Sequence, residues 1–347
     1  MAADRVNYTI VQGLRGFTSI AVLLFHAIQG GHVPSLLAAM PFSMLNDYFA
    51  VSVFFTLSGF VIAHGLTGVT MTPGKVGMFM LGRSIRLDPA YWASMLVTIG
   101  LVLLAALYHH RPFHPPSVGD VLAHVFYLQE ILRIPEINIV YWTLTYEFQF
   151  YLVFALILTV PARWMGVAAW ALAMASALGL VGTQWHGLFV EHWAVFYVGV
   201  MARRALDSEV ALMGLVLLVL VLMTGTGFER MPAMVALLLF AAAWTGWAET
   251  GLNWRWLQFL GTISYSLYLI HVPLMQVADF AVHHVVGQGL MADFACLGLI
   301  MALCIGGAWL LYWTVERPSH RLARSVRSRV RARPVQISAT PLVDPRA

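Results

Sequence analysis

Two residues near the start of the chain carry the first chemistry. Arg15 and His26 stand eleven positions apart in GLRGFTSIAVLLFHA. On an α-helix that separation turns about 1100°, roughly 20° past three full turns, so both side chains share one face about 16 Å apart. An imidazole that is neutral near pH 7 can take a proton from an alcohol. The plainer alternative is a packing His and an Arg that snorkels to the nearest interface. Glu147, in YWTLTYEFQFYLVF, is a carboxylate inside an apolar run. It could orient His26 and favour its protonated form, as the acid does in hydrolytic triads, or pair with an arginine at the interface.

Two further groups stand out. In GTISYSLYLIHVPL, Ser264, Tyr268 and His271 fall at i, i+4 and i+7 on one helical face, with Tyr265 beside them. Pro273 is expected to kink the helix just beyond. That face is either a polar site or a packing stripe with bonded hydroxyls. Arg83 and Arg86, with Lys75, lie in GKVGMFMLGRSIRLDP. Two arginines at i, i+3 make a forked clamp for phosphate, or a plain positive anchor at the membrane surface. His109, His110 and His114 cluster without a matching ligand set and read as solvated. No GxxxxGK[ST], HExxH or CxxC pattern occurs, so no metal site is read. Cys296 and Cys304 are about 12 Å apart on one helix, too far for a disulfide, and read as small apolar filler.

The elements that hold these groups follow from composition. Of 347 residues, 60% are hydrophobic and only 10% charged. An ordinary soluble protein carries about 25% charged residues, and no soluble core of this length could bury so much apolar surface. Soluble, fibrous and disordered chains are excluded. Apolar runs lie near 9–29, 48–66, 90–108, 142–160, 164–182, 189–202, 210–227, 231–248, 258–279 and 290–314. Each approaches the ~20 residues needed to cross a bilayer. The expected fold is all-α, a polytopic membrane bundle of about ten spans with both termini cytoplasmic. The first run holds Arg15 and His26 and lacks a clear cleavage site, so it is not read as a signal peptide. With an inner N-terminus and alternating spans, sixteen Lys and Arg fall inside and three outside. The stretch 118–135 would reverse that bias if it crossed, so it reads as a re-entrant or surface helix on the outer side. The expected division is a membrane domain over 1–316 and a basic, disordered cytoplasmic tail over 317–347. That tail sums to +7 and the rest of the chain to −3, a pattern suited to an anionic leaflet rather than nucleic acid.

Six ordered blocks give a further reading: LRGFTSIAVLLFH, FFTLSGFVI, RSIRLDPAYW, WTLTYEFQFYL, ISYSLYLIHVP and VERP. From about Gly13 to Pro318 the chain resembles the acyltransferase family 3 membrane proteins, which O-acylate cell-envelope sugars and other acceptors. The resemblance implies an acyl-CoA co-substrate, commonly acetyl-CoA, with no permanently bound cofactor. It implies a carbohydrate or lipid-linked glycan acceptor and residence in the bacterial inner membrane. By position, it makes His26 the catalytic histidine, Arg15 its partner and Glu147 the acid of the active region. Arg83 and Arg86 become donor-binding candidates. Ser58, Tyr265, Tyr268 and His271 become other candidate pocket residues. Thr145, Tyr146 and Phe148 depart from the commoner WSLSVEEQFYL pattern, which leaves the acid in place and its neighbours open. The rival reading is a proton-coupled secondary transporter, since buried His, Glu and Arg also suit proton-linked export.

Overall fold

Helices begin where the sequence supplies caps. Thr72 accepts a hydrogen bond from the Lys75 amide, with Pro73 opening the helix. Ser117 and Asp120 form a reciprocal capping box, and Ser208 caps a third helix. The computed structural model describes residues 8–39, 47–160, 162–182, 187–225 and 227–330. Among these, no strand is present. The α-helices are α1 (Thr9–Gln29), α2 (Pro34–Ala39), α3 (Asp47–Leu66), α4 (Pro73–Tyr108), α5 (Val118–Val125), α6 (Gln129–Leu132) and α7 (Trp142–Ile157). They continue as α8 (Ala162–Ala177), α9 (Trp193–Arg204), α10 (Glu209–Thr224), α11 (Gly227–Trp244), α12 (Arg255–Val286), α13 (Leu290–Leu311) and α14 (Arg317–Val330).

Every expected apolar run carries a helix. Three of them, α1, α4 and α12, together with the continuous stretch Leu290–Val326, are long and apolar enough to cross a membrane unaided. On α4 the side chains of Leu96, Leu104 and Leu107 are all more than half exposed. Apolar side chains facing outward along a long helix are what lipid solvates. The protein is a helical, multi-pass membrane bundle.

Close packing comes from glycine. A Cβ on Gly261 would sit 2.0 Å from the Gln12 carbonyl oxygen, and one on Gly16 would sit 2.4 Å from that of Leu257. The backbones of α1 and α12 therefore touch. A second seam joins α3 to α9, where a Cβ on Gly59 would meet the Phe196 carbonyl at 1.9 Å. Hydrocarbon supplies no hydrophobic drive between helices, so close backbone contact is the main source of attraction there. The α1–α12 pair runs parallel: Gln258 bonds the Thr9 carbonyl, Arg15 bonds Ser264, and His26 meets His271.

Two features differ from expectation in instructive ways. Pro273 lies inside one unbroken helix, α12. Its missing N–H frees the carbonyl of Leu269, and the side-chain amide of Asn138 donates to that oxygen at 3.2 Å. Residues 317–330 were expected within a disordered tail but form α14. Glu316, Ser319 and Ala323 repeat at helical spacing and are buried, while Arg321 and Arg324 are exposed. The Arg86 guanidinium reaches His320 at 3.2 Å, which anchors α14 to α4. Arg5 and residues 331–347 lie outside the described residues. The stretch 118–135 divides into α5 and α6, neither long enough to cross. Tyr127 between them bonds Asp88 and stacks on Tyr91 of α4, about 26–30 Å before that helix ends at 1.5 Å per residue.

Candidate functional site

The buried side chains form two clusters. One is centred on α3, α7 and α9, the other on α4, α12 and α13. A cavity of about 290 Å³ lies where they meet, walled by α1, α3, α4, α7 and α12. Of the nine candidate site residues, seven line it (Arg15, Ser58, Arg83, Arg86, Glu147, Tyr265 and Tyr268), and so does Ser264 from the polar face of α12.

Its charged wall is ordered by neighbours from distant parts of the chain. Arg15 Nε donates to Ser264 Oγ at 3.2 Å, and Ser264 donates in turn to the Gly261 carbonyl at 2.9 Å. The Arg83 guanidinium lies 4.4 Å from the centre of the Tyr151 ring, and its Nε is buried with no hydrogen-bond partner. Arg83 also lines the cavity, where a guanidinium is a natural contact for an anionic ligand. Arg86 Nε donates to His320 Nε2. That nitrogen is 3.3 Å from the Glu316 carboxylate, whose other oxygen accepts from Ser266 at 2.6 Å.

Glu147 has partners other than the one expected of it. Ser58 Oγ donates to Glu147 Oε1 at 2.5 Å, and the Tyr151 hydroxyl donates to the same oxygen. The carboxylate therefore faces the cavity between two hydroxyls.

His26 and His271 stand together just beyond the cavity's wall. Their ring centres are 5.0 Å apart, and His271 is 5.8 Å from Tyr268, which does line the cavity. His26 Nδ1 is 3.0 Å from the Val22 carbonyl and His271 Nδ1 is 2.7 Å from that of Tyr268. A carbonyl can only accept, so in each ring Nδ1 carries the proton and Nε2 keeps its lone pair. Both imidazoles are thus held in the tautomer that leaves the lone pair on Nε2. Tyr268 is fixed by Thr143 at 2.8 Å and the Val140 carbonyl at 3.1 Å.

A family model described as "Acyltransferase domain" matches residues 8–313. The chain belongs to acyltransferase family 3. Its curated relatives include "Acyltransferase MdmB" of Streptomyces mycarofaciens, 26% identical across 98% of this chain and 97% of the relative. "Exopolysaccharide production protein ExoZ" of Rhizobium meliloti is also 26% identical, across 88% of this chain and 96% of the relative. "Peptidoglycan O-acetyltransferase OatA" of Listeria monocytogenes serovar 1/2a is 26% identical over half of this chain and 28% of its own length. No solved structure matches. Membership makes the chain a membrane O-acyltransferase that takes an acyl donor as co-substrate.

For the acyltransferase family 3 site, sequence reasoning missed Tyr151, Glu316 and His320. Tyr151 lies one helical turn after Glu147, which is a usable signal. Glu316 stands in the VERP block immediately after an apolar run, the position where a buried acid is costly.

Proposed function

We propose that the protein moves an acyl group, acetyl in the simplest case, from cytoplasmic acyl-CoA to a hydroxyl of an envelope or exported carbohydrate. The observation that carries this reading is one cavity that holds three arginines and a carboxylate and ends beside a pair of imidazoles. CoA carries several phosphates, and Arg83, Arg86 and Arg15 would receive them or guide the pantetheine arm. His26 Nε2 takes the proton of the acceptor hydroxyl as its oxygen attacks the thioester carbonyl. The C–S bond breaks, and the CoA thiolate recovers that proton from His26 to leave as free thiol. Glu147 lends negative charge to the region where imidazolium develops.

Ten crossings with cytoplasmic termini belong to the same proposal. The parallel run of α1 and α12, the first and ninth apolar segments, supports it, because parallel neighbours need an odd number of crossings between them and the scheme places seven there. The carbohydrate class of acceptor rests on the names of the exopolysaccharide and peptidoglycan relatives. The test is thiol release from purified protein with acetyl-CoA and an acceptor glycan. The wild type is expected to release CoA thiol in step with acylated glycan. His26→Ala is expected to be present at a normal level and to fall by at least about 100-fold, the scale of lost general-base catalysis. Full activity in that variant removes the proposed base, and no thiol release from the wild type removes the reaction.

A further inference from the structure

At the far end of α12 from Arg255, five side chains of metal-binding type gather outside the cavity. Asp279 places one oxygen 2.6 Å from Nδ1 of His283, one turn on, and the other 3.1 Å from Nδ1 of His32 in the turn after α1. Cys296 comes from α13, fully buried. The ligand atoms of Asp279, His283 and Cys296 all lie within 4.8 Å of one another. Asp293, also fully buried, sets one oxygen 3.4 Å from Nε2 of His283. Its other oxygen accepts from the amides of Ser35 and Leu36 at 2.6 and 3.3 Å. Nδ1 of His32 is buried and makes no directed hydrogen bond despite its nearness to Asp279.

Packing alone does not ask for this set. Two carboxylates, two imidazoles and a thiol from three separate segments converge on one small volume. We propose that Asp279, His283 and Cys296, with His32 beside them, bind one divalent transition-metal ion of the zinc type. Thiolate and imidazole donors select such an ion over calcium or magnesium, which prefer all-oxygen sites. Asp293 holds the second nitrogen of His283, the carboxylate–histidine–metal arrangement that fixes a ligand ring. On binding, the Cys296 thiol gives its proton to water and the sulfur bonds the metal. The ion ties the turn after α1 to α12 and α13. Within that clamp His32 lies six residues beyond His26, in the turn after α1, and Asp279 lies eight beyond His271 on α12. The inference does not depend on the acyl-transfer reading.

The experiment uses tag-free, full-length protein in detergent, stripped with chelator and titrated with cobalt(II). The expected result is saturation at one equivalent with a near-ultraviolet thiolate-to-cobalt charge-transfer band, displaced by zinc. Cys304→Ser and the double variant His109→Ala/His110→Ala keep the band, which separates this site from the other thiol and from exposed histidines. Cys296→Ser loses the band, and His283→Gln weakens cobalt binding by at least about tenfold. A wild-type titration without the band overturns the proposal, as does a band that survives Cys296→Ser. The wild-type spectrum decides the matter even where a variant fails to fold.

Discussion

At the scale of single residues, the tautomers matter most. The carbonyls of Val22 and Tyr268 each hold an Nδ1 proton, so the lone-pair nitrogens of both rings are set before any substrate arrives. Glu147 depends on Ser58 and Tyr151 in the same way. Hydrogen bonds to a charged group contribute about 1.5–3 kcal/mol. Tyr151→Phe is therefore expected to lower kcat/KM by roughly ten- to a hundredfold, with folding retained. Initial-rate kinetics on the purified variant check this, and an unchanged kcat/KM would mean that the Tyr151 bond does not shape the active carboxylate. Arg15, His26 and Ser264/Tyr268/His271 were legible in the sequence because a single helix fixes which residues share a face. The pairing of Ser58 with Glu147 was not, because 89 residues separate them and only the packing of α3 against α7 brings them together.

At the scale of elements, glycine and short buried segments decide the geometry. Gly261→Leu would drive a side chain into the Gln12 carbonyl, 2.0 Å from where its Cβ must lie. Overpacking of this kind typically costs about 1–3 kcal/mol. A lower thermal midpoint in detergent is expected, together with lost activity as His26 and His271 separate; an unaltered midpoint would mean α1 and α12 do not rely on that contact. The segment carrying α5 offers a pH readout. Burial opposes charge on His124, but its hydrogen bonds to Glu136 and the Asp120 carbonyl, and the Glu136 charge, raise its pKa above the ordinary histidine value. A raised folded pKa stabilises the fold below the unfolded value near 6.5, and that contribution is lost as pH rises through the folded pKa. The stability gap between wild type and His124→Gln should thus be wider near about pH 6 than near about pH 9, as thermal unfolding at each pH would report. An equal gap would contradict the Glu136 pairing. The helical membrane bundle was legible from apolar length, and the non-crossing of 118–135 from charge parity. The helix α14 was not, since its arginines read as disorder and its buried stripe consists of Glu316, Ser319 and Ala323, residues that give no hydropathy signal.

At the scale of the whole molecule, two packed halves enclose a charged chamber between them, with arginines toward one end and imidazoles toward the other. Sixteen of the basic residues belong to one side of the proposed topology. Sidedness follows. Sealed inverted membrane vesicles, which present the cytoplasmic face outward, are expected to consume added acetyl-CoA, whereas sealed right-side-out vesicles are not. Thiol release measured in both preparations checks this, and equal rates would reverse the assignment of donor side. The composition made the membrane location readable, and the ordered blocks made the family readable. The meeting of the two halves was not readable, because it arises from contacts between helices far apart in the chain.

The touching backbones of Gly16 and Gly261 have one last consequence. They shut the lateral gate between α1 and α12 over the arginine-bearing half of the bundle. No side chain larger than glycine fits there, so nothing the size of a sugar slides sideways through that seam. Under the proposed reaction, the acceptor would therefore have to reach the imidazoles by a route other than this seam.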